Sequence, residues 1–306
     1  MAARNGNDGI KNLTINITDR CNGQCYYCNI GKSYRSELTL EQLQSMCNNT
    51  AFSKVKVVSI TGGEPFLHPD ILNIVKLIIA SFNLEKIFLN TNGSICYEKI
   101  KRVLDIIPES LKCYISISYE GGKNENLKIR GNDYSDNIRN IARKCLEYPN
   151  VVTSLSMTLC KYNSSFNSLR GLHDFANECH SEYSFRFADI SDLYYHNSTF
   201  ENNISNQSKI EIIHFIKKYC LDNPFLVKLM IFLDTGKVLY NGKRQDCVGG
   251  SCFAFIHSDG KVYSCIYGTK CIGTVERIID NTKPMMCLNS CCTDCVVWPM
   301  IEYYGN

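Results

Sequence analysis

Up to about residue 220, short apolar runs alternate with stretches whose apolar positions recur every three to four residues. Asn12–Ile17, Val55–Ile60, Lys86–Asn90, Cys113–Ser118, Val151–Leu159 and Tyr183–Asp189 read as strands. Helical spacing marks Asp70–Phe82, Glu98–Ile107, Ser135–Tyr148, Ser168–Cys179 and Ser208–Cys220. Thr39-Leu40-Glu41-Gln42 spells a capping box that opens a further helix. Strands each followed by a helix predict right-handed crossovers and a parallel sheet whose working site lies at the strands' C-terminal ends. Six such units fall short of a closed eightfold barrel, so the expected fold class is α/β, a partial (βα)6 TIM-like barrel.

Beyond roughly residue 240 helical periodicity fades and cysteine and glycine rise. Ala254–Ile256 and Lys261–Tyr263 flank His257-Ser258-Asp259-Gly260, the spelling of a hairpin with an Asp-Gly turn. The expected division is an N-terminal extension (1–11), the barrel (12–224), a connector (225–246) and a small Cys-rich domain (247–306). A chain of 306 residues buries about three quarters of its unfolded surface and needs no disulfides for a core. With 33 basic against 30 acidic residues, charge gives no ground for a nucleic-acid or membrane partner. The apolar stretches Asp70–Phe82 and Phe225–Leu233 carry Lys76 and Lys228 and are short of the roughly 20 residues a membrane span needs. Met1–Asn12 lacks the apolar core of a signal peptide, so the expected location is the reducing cytoplasm.

In that compartment 18 cysteines point to metal or redox chemistry before disulfides. Cys47, Cys96, Cys113, Cys145, Cys160, Cys179 and Cys220 are scattered through apparent helices and strands and read as small buried hydrophobes. Cys21, Cys25 and Cys28 share one loop after the first strand, and eight more lie between Cys247 and Cys295. The loop triad has no obvious fourth ligand, the nearest histidine being His68, whereas structural zinc takes four Cys or His. An iron–sulfur cubane tolerates three protein ligands and leaves one iron open to a small molecule, which places it ahead of zinc. Gly23 would let the loop curl around such a cluster.

Cys21-Asn22-Gly23-Gln24-Cys25-Tyr26-Tyr27-Cys28 resembles the signature of the radical S-adenosylmethionine (radical SAM) enzymes, with Tyr27 as the aromatic before the last cysteine. Further family motifs follow in order over about residues 12–190. Thr61-Gly62-Gly63-Glu64-Pro65 matches the loop that binds the cofactor's methionine amino group, and Asn90-Thr91-Asn92-Gly93 matches a turn after the third strand. Ser116-Ile117-Ser118-Tyr119-Glu120-Gly121 resembles the stretch near the ribose, with Glu120 where aspartate is usual; the ribose contact falls to Ser118 or Glu120. Ile129-Arg130-Gly131 resembles an arginine–glycine turn of the family, Arg130 being a carboxylate-binding candidate, and Asn163 stands where an asparagine follows the fifth strand. Taken singly, Gly62-Gly63 and Asn92-Gly93 are ordinary turns and Arg130 a surface cation; their order gives them meaning. The resemblance implies a [4Fe-4S] cluster, S-adenosyl-L-methionine, its reductive cleavage to a 5′-deoxyadenosyl radical, and an external one-electron donor such as flavodoxin or ferredoxin.

The C-terminal cysteines carry a second resemblance, to the auxiliary-cluster module called SPASM or its shorter twitch form. Cys247, Cys252 and Cys265 fit its opening, with Gly260 turning the hairpin between them, and Cys287, Cys291, Cys292 and Cys295 fit its closure in a different spacing. That implies one auxiliary [4Fe-4S] cluster, with thiols enough for a second that draws on Cys271; closed zinc is the alternative. Trp298 would cover the cluster, and Cys271 or Cys291 are weak candidates for a catalytic hydrogen donor. Such modules often accompany peptide maturation, so the expected activity is hydrogen abstraction from a ribosomally made peptide, giving an epimer or a crosslink. The twenty residues before Cys21 leave no room for a leader-binding domain there. The alternative is a small-molecule dehydrogenase or epimerase acting on a sugar, aminoglycoside or nucleoside; from another class, a non-catalytic iron–sulfur or zinc protein.

Overall fold

Six strands in chain order make the frame: β1 (Asn12–Asn16), β2 (Val57–Thr61), β3 (Lys86–Thr91), β4 (Lys112–Ser118), β5 (Val151–Leu159) and β6 (Glu182–Phe187), each paired in parallel with the next. The computed structural model describes residues 9–32, 36–188, 191–197, 204–235, 239–240, 243–244, 249–250, 252–266 and 271–278. Cys247, Cys287, Cys291, Cys292, Cys295 and Trp298 lie outside them. Leu13, Ile15, Ile60, Ile87, Leu89, Ile115, Ile117, Leu155, Met157 and Phe185 on the strands pack into one core with the apolar faces of the helices. The fold is therefore the expected α/β partial barrel.

The helices are α1 (Leu40–Asn48), α2 (Ile71–Ser81), α3 (Tyr97–Leu104), α4 (Lys123–Arg130), α5 (Ser135–Cys145), α6 (Phe166–Glu178), α7 (Asn206–Tyr219) and α8 (Pro224–Thr235). Thr39 makes the capping box of α1 with Gln42. Two helices escape the periodicity reading. In α4, KNENLKIR offers too few apolar residues to show a stripe, and the expected Arg130-Gly131 turn is its C-terminal end, with Gly131 left-handed at φ +76°. In α8 the run after Pro224 is apolar all round, so it has no polar face to mark a period; Asn223 Oδ1 caps it by accepting from the Phe225 and Leu226 amides (3.1 and 3.2 Å). This helix packs on α7, where the sequence suggests a connector.

The C-terminal hairpin is present as β9 (Phe253–Ile256) and β10 (Lys261–Tyr263), with β11 (Cys271–Thr274) beyond it. Gly260, at φ +84°, donates its amide to His257 O and closes the turn. β9 also pairs in parallel with β1, Asn12 opposite Phe253 through Ile15 opposite Ile256, so the sheet runs β11-β10-β9-β1-β2-β3-β4-β5-β6. All four β9 residues are buried, as a strand covered on both faces requires. A two-residue pair, β7 (Leu239–Tyr240) and β8 (Lys243–Arg244), stands apart from that sheet. Among the described residues no helix is long and apolar enough to cross a membrane.

Candidate active site

The loop leaving the C-terminal end of β1 carries Cys21, Cys25 and Cys28, and all three line one cavity over the strand ends. A Cβ placed on Gly23 would lie 3.4 Å from Cys21 Sγ and 3.8 Å from Cys25 Sγ, so the two sulfurs flank one point. The Gly23 amide donates to Cys21 Sγ (3.3 Å), and the Cys28 amide donates to Cys25 O (3.1 Å). Burial pushes the Cys21 thiol up to about 11, and burial with the neighbouring Cys25 pushes Cys28 up to about 12, so both keep their protons until a metal displaces them. Among the described residues no histidine and no further cysteine lines this cavity. A closed zinc site would be one protein ligand short, whereas a [4Fe-4S] cluster fits three thiolates.

The Gly-Gly-Glu-Pro loop after β2 presses on the cysteine loop. A Cβ on Gly63 would meet Arg20 O at 2.3 Å and Cys21 Cβ at 2.7 Å, an approach only glycine allows. The Gly63 and Glu64 amides donate to Thr18 O and Arg20 O, both at 2.7 Å. Thr61, Gly62 and Gly63 face the cavity. Glu64 is fully buried instead: Oε2 accepts from the Asn92 amide (2.6 Å) and the Thr91 hydroxyl (3.1 Å), and Oε1 from the Phe66 amide (3.2 Å). Burial outweighs these hydrogen bonds and pushes its carboxyl up to about 7. The carboxylate thus ties the loops after β2 and β3 together. Asn92, at the cavity wall, donates to Asn22 Oδ1 (2.8 Å) and accepts from the Ser94 amide (2.9 Å), which braces the cysteine loop from the far side.

Beneath the cavity floor a second carboxylate, Glu120, is also fully buried. Its Oε1 accepts from Arg130 Nη1 and from the Tyr27 hydroxyl, each at 3.1 Å; its Oε2 accepts from the Thr158 amide (3.1 Å) and Asn163 Nδ2 (3.0 Å). Asn126 Oδ1 accepts the Glu120 amide (2.8 Å), and Asn163 Oδ1 accepts the Cys160 amide (2.8 Å). Burial works against the charge on Arg130, but its neighbours Cys25, Tyr27 and the ion-paired Glu120 outweigh it and hold the guanidinium above its usual range. Burial, and then Glu120, push the Tyr27 phenol well up, so it is a neutral donor. Tyr27, Arg130 and Ser118 line the cavity, whereas Glu64, Glu120 and Asn163 do not.

Sequence reasoning passed over Ser156, Thr158, Arg186, Tyr194 and Tyr195, which complete the wall. A signal existed for the hydroxyls: Ser116 and Ser118 on β4 and Ser156 and Thr158 on β5 sit at alternate positions, and the register sets Ser118 opposite Ser156. The two tyrosines belong to a segment without periodicity and give none. Of the C-terminal candidates, Cys252 and Cys265 share an apolar cluster with Phe253, Phe255, Tyr263 and Ile266. Cys271 is exposed on β11 and donates its thiol to Gly273 O (3.2 Å).

The model of the Radical SAM superfamily matches residues 15–165. A GTP 3',8-cyclase of Clostridium perfringens is 27% identical over 269 residues, covering 83% of this chain and 80% of that protein. A GTP 3',8-cyclase of Aquifex aeolicus is 37% identical over 98 residues, 30% of this chain and 31% of that protein. In fold, the chain is similar to SuiB of Streptococcus suis bound to precursor peptide SuiA (TM-score 0.69, 16% identity, 94% of this chain and 70% of that one). It is also similar to anSMEcpe with bound AdoMet and Cp18Cys peptide (TM-score 0.63, 16% identity, 89% of this chain and 79% of that one).

Proposed function

Residues 15–165 make this chain a member of the radical SAM superfamily, and from that premise we propose that it abstracts hydrogen from a peptide. The observation that carries the reading is the three-sulfur donor set of Cys21, Cys25 and Cys28, facing a cavity whose described lining offers no fourth thiol or imidazole. When bound there, a [4Fe-4S] cluster and S-adenosyl-L-methionine supply a 5′-deoxyadenosyl radical by one-electron cleavage. The chain's own residues bind and orient. Backbone groups of Thr61, Gly62 and Gly63 take the methionyl amine, and Arg130, whose Nη1 is anchored on Glu120, turns its other N–H groups to the methionyl carboxylate. Ser118 takes the ribose, since Glu120 is fully engaged beneath the floor. Tyr27 and Asn92 hold the cysteine loop, and the covering tyrosines Tyr194 and Tyr195 keep water from the reacting carbon. Cys252 and Cys265, with Cys247 and thiols of the Cys287–Cys295 stretch, hold an auxiliary cluster, and an external flavodoxin or ferredoxin supplies the electron.

A peptide is favoured because the described wall, apart from its cysteines, is mostly uncharged and holds two guanidinium groups, one of which, Arg130, is paired with Glu120 and given to the cofactor. A triphosphate would call for more positive charge. The likeness to peptide-bound SuiB over nearly the whole chain supports the same reading. The 27% identity to a GTP 3',8-cyclase favours a second one, a purine nucleotide. The test is anaerobic: reconstituted, dithionite-reduced protein with S-adenosyl-L-methionine should release 5′-deoxyadenosine, and Cys25→Ala should release none. Turnover stimulated by a short peptide encoded beside the gene, with loss of two hydrogens or gain of one deuterium from heavy water, supports the peptide reading. Turnover stimulated by GTP instead sinks it.

A further inference from the structure

Away from the cavity, three side chains with metal-binding atoms meet in the interior. Asp19, His196 and His257 are all buried, and their ligand atoms lie within 4.8 Å of one another. They come from the loop after β1, the 191–197 segment and the β9–β10 turn. We infer that this trio binds one divalent transition-metal ion of the zinc class, which bolts the C-terminal hairpin to the cysteine loop.

The donor set suits such an ion. Two neutral imidazoles and one carboxylate leave a single negative charge that a dication neutralises, in a place where an uncompensated carboxylate is costly. His196 Nε2 stands 3.9 Å from Asp19 Oδ1, beyond the hydrogen-bond range. With bonds of about 2.1 Å, a tetrahedral ion sets neighbouring donors about 3.4 Å apart, so seating it draws the His196–Asp19 pair together by about half an ångström and the other donors, which lie within 4.8 Å, by at most about 1.4 Å.

Each ligand is also aimed. Asp19 Oδ1 accepts from Ser258 Oγ (2.8 Å) and Asn16 Nδ2 (3.2 Å), and Oδ2 accepts from the Ser36 amide (3.2 Å), which fixes the carboxylate beside the hairpin turn. His257 Nδ1 lies 3.0 Å from Asp259 Oδ1 and at a longer 3.4 Å from the Asp259 amide; the tautomer that donates Nδ1–H to the nearer carboxylate leaves the lone pair on Nε2 for the ion, the carboxylate–histidine–metal arrangement. His196 is held in the left-handed region at φ +51°, a conformation uncommon for a non-glycine residue. Asn29 Nδ2 donates to His196 O (3.0 Å), Ser191 Oγ donates to Ile266 O (2.7 Å), and Asn197 Nδ2 donates to Tyr27 O.

The test uses the cluster-loaded protein, kept anaerobic, cleared of loose divalent ions by chelator and given one equivalent of Zn²⁺. Zinc-edge X-ray absorption should show nitrogen and oxygen scatterers at about 2.0–2.1 Å with imidazole outer shells. Sulfur at about 2.3 Å, or no retained zinc, overturns the assignment. His257→Gln should abolish the retained zinc with iron content unchanged. Asp259→Asn alters the partly exposed orienting group, whose amide oxygen can still accept from the Lys261 amide, and so tests the site even if His257→Gln fails to fold; it should weaken zinc binding about 10–100-fold. Wild-type zinc affinity in Asp259→Asn, or in a folded His257→Gln, overturns the proposal.

Discussion

Glu120 has four hydrogen-bonded donors and no solvent, and the charge of Arg130 depends on it. Removing one partner of a buried pair leaves the other charge stranded, at a cost of about 3–5 kcal/mol. Glu120→Gln should therefore lower stability by about that much in urea unfolding, far more than the loss of an exposed surface pair such as Lys101–Asp105. Glu64 behaves differently with pH. Its carboxyl is pushed by burial from 4.5 up to about 7, so the folded chain holds that proton more tightly than the unfolded one. Its contribution to stability is complete below about pH 4.5 and is lost as pH rises through about 7. Urea midpoints should fall between pH 5 and pH 8 in the wild type and fall less in Glu64→Gln. Of these residues, motif order in the sequence singles out Glu64 and Arg130. The role of Glu120 as an anchor was not legible, because its partners Thr158 and Asn163 reach it from about forty residues away.

At the scale of elements, helix α6 sits unusually close to the end of β4. A Cβ on Gly171 would lie 1.9 Å from Gly121 O, and one on Gly121, at φ +99°, would lie 2.4 Å from Ser168 O. Glycine in a helix interior normally costs about 1 kcal/mol relative to alanine. Here Gly171→Ala should destabilise instead, by about 1–3 kcal/mol, as α6 is forced off the sheet. Thermal unfolding followed by circular dichroism checks the sign, and retained helix content with a lower midpoint is the expected result. The strands and six of the helices were legible because burial on one face imposes a period; α4 and α8 were not, one having almost no apolar stripe and the other no polar one.

For the whole molecule, the pairing of β9 with β1 matters most. It joins the C-terminal hairpin to the sheet and leaves β1 with a neighbour on each side. A chain ending at residue 246 lacks β9 and exposes the backbone edge of β1 beside Leu13 and Ile15, a template for pairing with other chains. Sedimentation velocity should find the truncated chain associating with rising concentration while the full-length chain does not; a dispersed truncated chain would show that the hairpin is no cover for that edge.

Taken by itself, the sequence determined the order of strands and helices and the three-cysteine loop, because periodicity and close spacing are local properties that no distant contact needs to supply. The tertiary structure alone decided that Phe253–Ile256 pairs with Asn12–Ile15, that Glu120 is sealed beneath the floor while Ser118 faces the cavity, and that Asp19, His196 and His257 converge. Strand partners and the satisfaction of buried polar groups are settled by which remote segments arrive at the same place, and no pattern along a single chain records that.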